Sequence, residues 1–315
     1  MRYAIRSLAL TLSFMLAVAR VAEPAPARPA PQIGRVLLVS IDGLRPDALL
    51  RADAPVIRGL MKRGSYTFWA QTTDMAVTLP SHTSMLTGVP PSKHGVDWND
   101  VQRSERPQYP AWPTLFEVAR NAGYTTAMAA GKPKFSTLAK PGTLTASFVP
   151  GGSNVSDRSV TDTAVVWIGR FAPQVLFVHL PEVDGAGHGG GWGSPSQLAA
   201  IAGADRCVGR LLDALAKRGV LDSTLVLVTS DHGGAGRNHG PNDPRSRFIP
   251  WIAAGPGVRP DFDLTSDRGL TIRTEDTFAT LCYVLGIAPP RPIDGRPVFQ
   301  AFTKVSKAPS ETASP

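Results

Sequence analysis

Cysteine is almost missing from this chain: two occur in 315 residues, Cys207 and Cys282. Both fall in helical patterns beside apolar residues, and neither sits at a metal-ligand spacing. A cysteine-held metal site is therefore excluded, and two readings stay open, a pair of small core residues or one disulfide. Long apolar runs are missing as well. The one near the N-terminus covers about ten residues where a bilayer span needs about 20, so no membrane span is expected. No Lys/Arg run of the nucleic-acid type occurs, and the net charge of +8 reads as a solvated basic face that favours anionic partners without binding a specific nucleic acid. No internal repeat is found.

The first residues do carry a pattern. Arg2 and Arg6 open the chain, an apolar stretch runs from Ser7 to Leu16, and Ala17-Val18-Ala19 is a small-x-small site. These are the marks of a secretory signal peptide, residues 1–19, cut after Ala19. The expectation is a secreted or periplasmic protein, and with no Cys after the apolar stretch no lipid anchor is expected there. Residues 20–33, rich in Ala and Pro, read as an extended linker. A single domain is expected over 34–303, and the polar 304–315, with Pro and Ser, reads as a disordered tail.

With 43% apolar residues, the domain has the material for a sizeable core. Short apolar runs predict strands at 35–41, 124–130, 174–180, 224–229 and 248–254, the last toward an edge or starting late because of Pro250. Helical spacing predicts a helix from Pro46 stopped by Gly64, and others at 114–121, 160–171 and 196–218 and from Thr274, taken as its N-cap, to Leu285. Residues 141–156 read as a loop. Strands alternating with helices imply an α/β fold whose mostly parallel central sheet is covered by helices on both faces.

Polar residues gather where those strands end. Asp42 follows the first, and a carboxylate there needs a cation or a donor, since an unpaired buried charge is costly. Asp184 and His188 follow the third in a Gly-rich stretch that lets the backbone fold tightly around an ion. Asp231 and His232 follow the fourth, and His239 comes seven residues later. Thr78 stands just before Pro80, which suits the first turn of a helix, so its hydroxyl lies where backbone N–H groups and the dipole favour an anion. A plain N-cap is the simpler job for such a Thr. Lys132 and Lys134, beyond the second strand, are positioned to meet an anionic substrate group. In a parallel sheet all these residues share one crevice. Three carboxylates, three imidazoles and a hydroxyl are the donors two divalent ions require, and two-metal sites serve in-line displacement at phosphorus.

Four ordered motifs resemble the alkaline phosphatase superfamily and, within it, the type I phosphodiesterase/nucleotide pyrophosphatase branch. They are Val39-Ser40-Ile41-Asp42-Gly43-Leu44-Arg45; Thr78-Leu79-Pro80-Ser81-His82 with Leu86-Thr87-Gly88 and Lys93-His94-Gly95; Val183-Asp184-Gly185-Ala186-Gly187-His188; and Ser230-Asp231-His232-Gly233. The resemblance implies an alkaline-phosphatase-like three-layer sandwich forming one catalytic domain. It implies that Asp42, Thr78, Asp231 and His232 hold one ion and Asp184, His188 and His239 the other. The ions would be Zn2+, with Mn2+ as the alternative. It further implies hydrolysis of a small phosphorylated substrate, a phosphodiester or pyrophosphate, through a phosphothreonine on Thr78.

Two departures stand out. Ser81 occupies a position where the family usually has Asn, and its hydroxyl is expected to donate to phosphoryl oxygens. The last metal His of the family lies beyond a long insertion that shapes the substrate pocket, whereas His239 follows almost at once. The paired Lys132 and Lys134 resemble those of phosphonoacetate hydrolases, which makes a phosphonate hydrolase or a phosphomonoesterase the alternative. The Cys or Ser nucleophile and x-Pro-x-Arg series of a sulfatase are missing, as is the long inserted domain of a phosphoglycerate mutase. A non-catalytic metal-binding envelope protein is the third option, disfavoured by the hydroxyl among the ligands.

Overall fold

The computed structural model describes residues 32–101 and 108–303. The expected leader 1–19, the linker up to residue 31 and the tail 304–315 lie outside the described residues. Eight strands form one sheet: β1 (Arg35–Ile41), β2 (Gly64–Gln71), β3 (Thr126–Ala130), β4 (Ala146–Phe148), β5 (Val175–Leu180), β6 (Thr224–Thr229), β7 (Phe248–Ala254) and β8 (Phe262–Asp263). Their order across the sheet is β4-β3-β5-β1-β6-β7-β2-β8. From β4 to β6 every pairing is parallel, β7 runs antiparallel to both its neighbours, and β8 is parallel to β2.

Successive side chains of a strand point to opposite faces, and here both faces are apolar. Val36 and Leu38 of β1 enter one core, Leu37 and Val39 the other. The first core is closed by α3 (Thr78–Thr87), with the short α4 (Pro91–His94) beside it, and by α5 (Leu115–Asn121) and α9 (Thr274–Leu285), through Leu86, Phe116 and Phe278. The second is closed by α1 (Pro46–Arg51), α2 (Pro55–Lys62), α6 (Asp157–Phe171), α7 (Glu182–Gly190) and α8 (Pro195–Lys217). Three layers result. Cys282 on α9 packs in the first core and Cys207 on α8 in the second. The sheet separates them and both thiols are free, which removes the disulfide reading.

The differences from expectation have local causes. Strand β2 went unassigned because its burial does not alternate: its register against β7 shifts between Thr67 and Ala70, and Trp69 there is 62% exposed. That bulge also explains why Pro250 sits in an interior strand. The β6–β7 ladder begins at Trp251, and the β2 residues paired with Trp251 and Ile249 flank the shift, so Pro250 faces no ladder partner that needs an N–H. The helix expected from Pro46 to Gly64 is broken in two, with Pro55 opening α2, and Gly64 begins β2. The loop read over 141–156 contains β4. At α9 the N-cap is Arg273, whose backbone N–H donates to Asp276 (2.7 Å), and Thr274 is the first helical residue.

Candidate metal centre

Strands β3, β5, β1 and β6 are sheet neighbours and parallel, so their C-terminal ends meet along one edge. Lys132, Asp184, Asp42 and Asp231 follow those four ends. The backbone is close-packed there. Gly43, at φ +72°, lies so near Asp184 that a Cβ would come within 3.0 Å of the Asp184 Cα, and a Cβ on Gly131 would meet Pro181 at 2.4 Å. Any side chain at either position would push two of the acids or Lys132 out of place. The Gly-rich stretch after β5 folds as a helix, α7. Asp184 and His188 fall four residues apart on one of its faces.

At these strand ends three buried carboxylate oxygens have no hydrogen-bond partner: Asp42 Oδ1, Asp184 Oδ1 and Asp231 Oδ2. Each faces an imidazole. His232 Nε2 lies 3.2 Å from Asp231 Oδ2, 3.5 Å from Asp42 Oδ1 and 3.5 Å from Thr78 Oγ1. Asp184 Oδ1 lies 3.3 Å from His188 Nε2 and 3.7 Å from His239 Nε2. The Nδ1 atoms of His232, His188 and His239 sit 2.8–2.9 Å from the backbone carbonyls of Gly233, Arg237 and Ala76. A carbonyl can only accept, so each Nδ1 carries a proton and Nε2 is the ring nitrogen turned toward the carboxylates, the one that could bind a metal. Ala76 holds its carbonyl there at φ 47°, a strained value for a residue other than glycine.

Ligand atoms of Asp184, His188 and His239 lie within 4.8 Å of one another, and so do those of Asp42, Asp184 and His232. Asp184 thus reaches both groups. His239 stacks on His232 with ring centroids 3.7 Å apart and sits 5.0 Å from His188, between the two sets. Orphaned oxygens in the interior cost free energy, and oxygens opposed by imidazole nitrogens are the donor chemistry of a Zn2+ or Mn2+ site. The residues fit two divalent ions. The two groups overlap at Asp184: a buried one with Asp42 and His232, beside which Asp231 and Thr78 lie, and a more open one with His239 and His188, whose side chain is 43% exposed.

Lys132 does not face outward. Its Nζ lies 2.7 Å from Asp42 Oδ2, 2.6 Å from Asp184 Oδ2 and 3.4 Å from Thr78 Oγ1. Burial opposes its charge, but Asp42, Asp184 and Asp231 outweigh burial and hold it protonated above the ordinary lysine range. The converse holds for two of the acids. Burial raises Asp42, yet Lys132 and His179 bring it well below the usual carboxylate range. Asp184, raised by burial and by Asp42, is brought down to about 2 by His188 and Lys132. Asp231 has less help, and burial with the Asp42 charge raises it to about 6.

Lys134, in the turn Pro133–Leu138, is half-buried; burial and the neighbouring Lys132 lower its pKa, and it has no ion-pair partner among the described residues. Ser81 is fully buried, its hydroxyl 3.0 and 3.1 Å from those of Thr72 and Thr73, partners other than the phosphoryl group expected for it. Thr78 is the first residue of α3 and no N-cap. The Leu79 N–H there donates to Asn99 Oδ1 (2.9 Å) and Pro80 has none, so this helix end offers fewer free donors than expected.

Three supporting residues escaped the sequence reading. His179 Nε2 donates to Asp42 Oδ2 (2.7 Å) while its Nδ1 accepts from the Gly131 N–H. His82 spans the Thr78 carbonyl and Ser40 Oγ, both at 2.8 Å. Burial pulls both imidazoles down to about 4, so they are neutral. Trp192 packs its edge against His188 and donates from Nε1 to the Gly43 carbonyl. A His inside an apolar strand was the one available signal for His179; nothing in the sequence singles out Trp192.

The sequence profile of the type I phosphodiesterase / nucleotide pyrophosphatase family matches residues 36–244. The chain belongs to that family. Over 219 residues it is 28% identical to a bis(5'-adenosyl)-triphosphatase of Mus musculus, covering 63% of this chain and 47% of that protein. It thus spans about half the length of the curated relatives it matches. Among solved structures, murine ectonucleotide pyrophosphatase / phosphodiesterase 5 superposes with a TM-score of 0.72 at 17% identity, over 85% of this chain and 100% of that one. A sulfatase-like protein of Bacteroides thetaiotaomicron gives 0.72 at 17% identity over 88% and 76%. The three-layer sheet is therefore the alkaline-phosphatase-like fold that the motifs implied.

Proposed function

We propose that this chain is a two-metal hydrolase of phosphodiester or pyrophosphate bonds that passes through a phosphothreonine on Thr78. The observation that carries the reading is the set of three orphaned carboxylate oxygens opposed by imidazole Nε2 atoms around one hydroxyl. Asp42, Asp231, His232 and Thr78 would hold one ion, and Asp184, His188 and His239 the other. When bound, such ions supply Lewis-acid charge that lowers the pKa of the hydroxyl and stabilises negative charge on phosphoryl oxygens. Thr78 loses its proton to solvent and its Oγ attacks phosphorus. The P–O bond to the leaving group breaks as the O–P bond to Thr78 forms, and water then cleaves the phosphothreonine and restores the hydroxyl. Asn99, its Oδ1 taken by the Leu79 N–H, keeps its amide N–H groups to donate to a phosphoryl oxygen.

Zinc as the ion and a secreted or periplasmic location, resting on the leader 1–19, belong to the same proposal. A phosphomonoester or phosphonate substrate is the second reading, favoured by Lys134, a cation near the site without an ion-pair partner among the described residues. The test is metal analysis of the purified protein together with turnover of bis-nitrophenyl phosphate and nitrophenyl phosphate. The diester is expected to be the better substrate; a strong preference for the monoester would move the assignment to the second reading. Thr78→Ala is expected to keep its metals and lose turnover by at least about a thousandfold, and full activity would remove Thr78 as the nucleophile.

A further inference from the structure

Asp42 and Asp184 each divide their two oxygens in the same way. Oδ1 is the orphan that faces an imidazole, and Oδ2 is bound to the Lys132 ammonium at 2.7 and 2.6 Å. In the two-metal reading Asp42 serves one ligand set and Asp184 the other, with Asp184 also within reach of the first, so one buried cation ties the sets together from the oxygens that do not face the ligand imidazoles. Lys132 is rooted for this task. Gly131 before it is packed on Pro181 and donates to His179, the residue that holds Asp42, and Pro133 after it starts a helical turn. With its side chain 6% exposed, the ammonium has little access to water.

We infer that Lys132 is a tethered counter-ion: it holds the two ligand sets in place when they are empty and weakens their grip on metal when they are filled. The inference rests on the two-metal reading above. Three buried carboxylates cannot share so small a space without positive charge, and among the described residues Lys132 is the lysine or arginine that ion-pairs with any of them. Divalent ions would take the other oxygens of the same carboxylates a few ångström away, where the ammonium repels them. The empty site is thereby stabilised and the filled one is not. Orientation of the carboxylates by Lys132 works the other way, toward tighter metal binding, and the sign of the change on removing the charge separates the two effects.

The experiment compares wild type, Lys132→Met and Lys132→Gln in two measurements, thermal melting after chelator treatment and zinc affinity by competition with a chromophoric chelator. Stripped Lys132→Met is expected to melt below stripped wild type, and Asp184→Asn in the same chain is expected to restore part of the loss by removing one of the repelling charges. Zinc is expected to bind Lys132→Met at least about tenfold more tightly. Lys132→Gln keeps donors for both carboxylates without the charge, so it must show the same tightening and serves where Met does not fold without metal. Unchanged or weaker zinc binding in the neutral variants would overturn the inference. Failure of the wild type to take up zinc or manganese would instead overturn the metal reading itself.

Discussion

Asp42 and Asp157 are both buried acids with one oxygen that finds no partner, and they behave in opposite ways. Asp42 stands among Lys132, His179 and His232 and is held ionised. Asp157, the first residue of α6, accepts one N–H from Glu182 (3.0 Å) and has no ion-pair partner among the described residues; burial raises its pKa to about 7, with the Glu182 charge adding to the rise. An orphaned oxygen is therefore not sufficient to mark a ligand. Imidazole nitrogens opposite the oxygen and a buried cation behind it distinguish Asp42 from an acid whose pKa burial and a neighbouring negative charge have raised.

That contrast is most directly broken at Asp42. Asp42→Asn keeps the shape but removes the charge, and should empty the buried set and lower turnover by at least about a thousandfold; metal analysis showing both ions retained would place Asp42 in the same class as Asp157. A smaller effect is expected on the open side. His188→Ala should leave the buried set loaded and weaken the other about a hundredfold, read as a fall from two tightly held ions to one in a zinc titration. The smallest effect tests the other half of the comparison. The folded-state pKa of Asp157, about 7, lies above the usual carboxylate value, so the folded protein binds this proton more tightly than the unfolded chain does. Stability is full below pH of about 4 and is lost as pH rises through 7. Asp157→Asn retains an acceptor for the Glu182 N–H and should stabilise the protein by about 1–3 kcal/mol at pH 8, with the gain vanishing near pH 4 in denaturant unfolding and metal content unchanged.

Much of the architecture was legible because it is locally encoded. The strands β1, β3, β5, β6 and β7 are apolar runs that need no partner to be recognised, and the acids and imidazoles at their ends follow in the chain. Strand β2 was not legible, since its pattern is broken by a bulge whose cause lies in β7. Helix α7 was not legible, because its four glycines disfavour a helix locally, whereas packing against α8 supports it. Pro250 lies in an interior strand and not toward an edge, although the ladder with β6 does begin late, at Trp251. A missing N–H matters only where a neighbouring strand would use it.

The sequence by itself determined the kinds of donor, their order along the chain and the family, because motif residues and hydrophobic periodicity are properties of short stretches. Only the tertiary structure decided what those donors touch. Lys132 meets Asp184 across 52 residues and His179 meets Asp42 across 137, and both contacts exist because β3, β5, β1 and β6 are neighbours in the sheet without being neighbours in the chain. The same strand order turned Lys132 from a surface cation awaiting a substrate into a buried partner of two acids. It also placed Cys207 and Cys282 on opposite faces. Charge and burial depend on everything within a few ångström, and that neighbourhood is assembled only when distant segments pack.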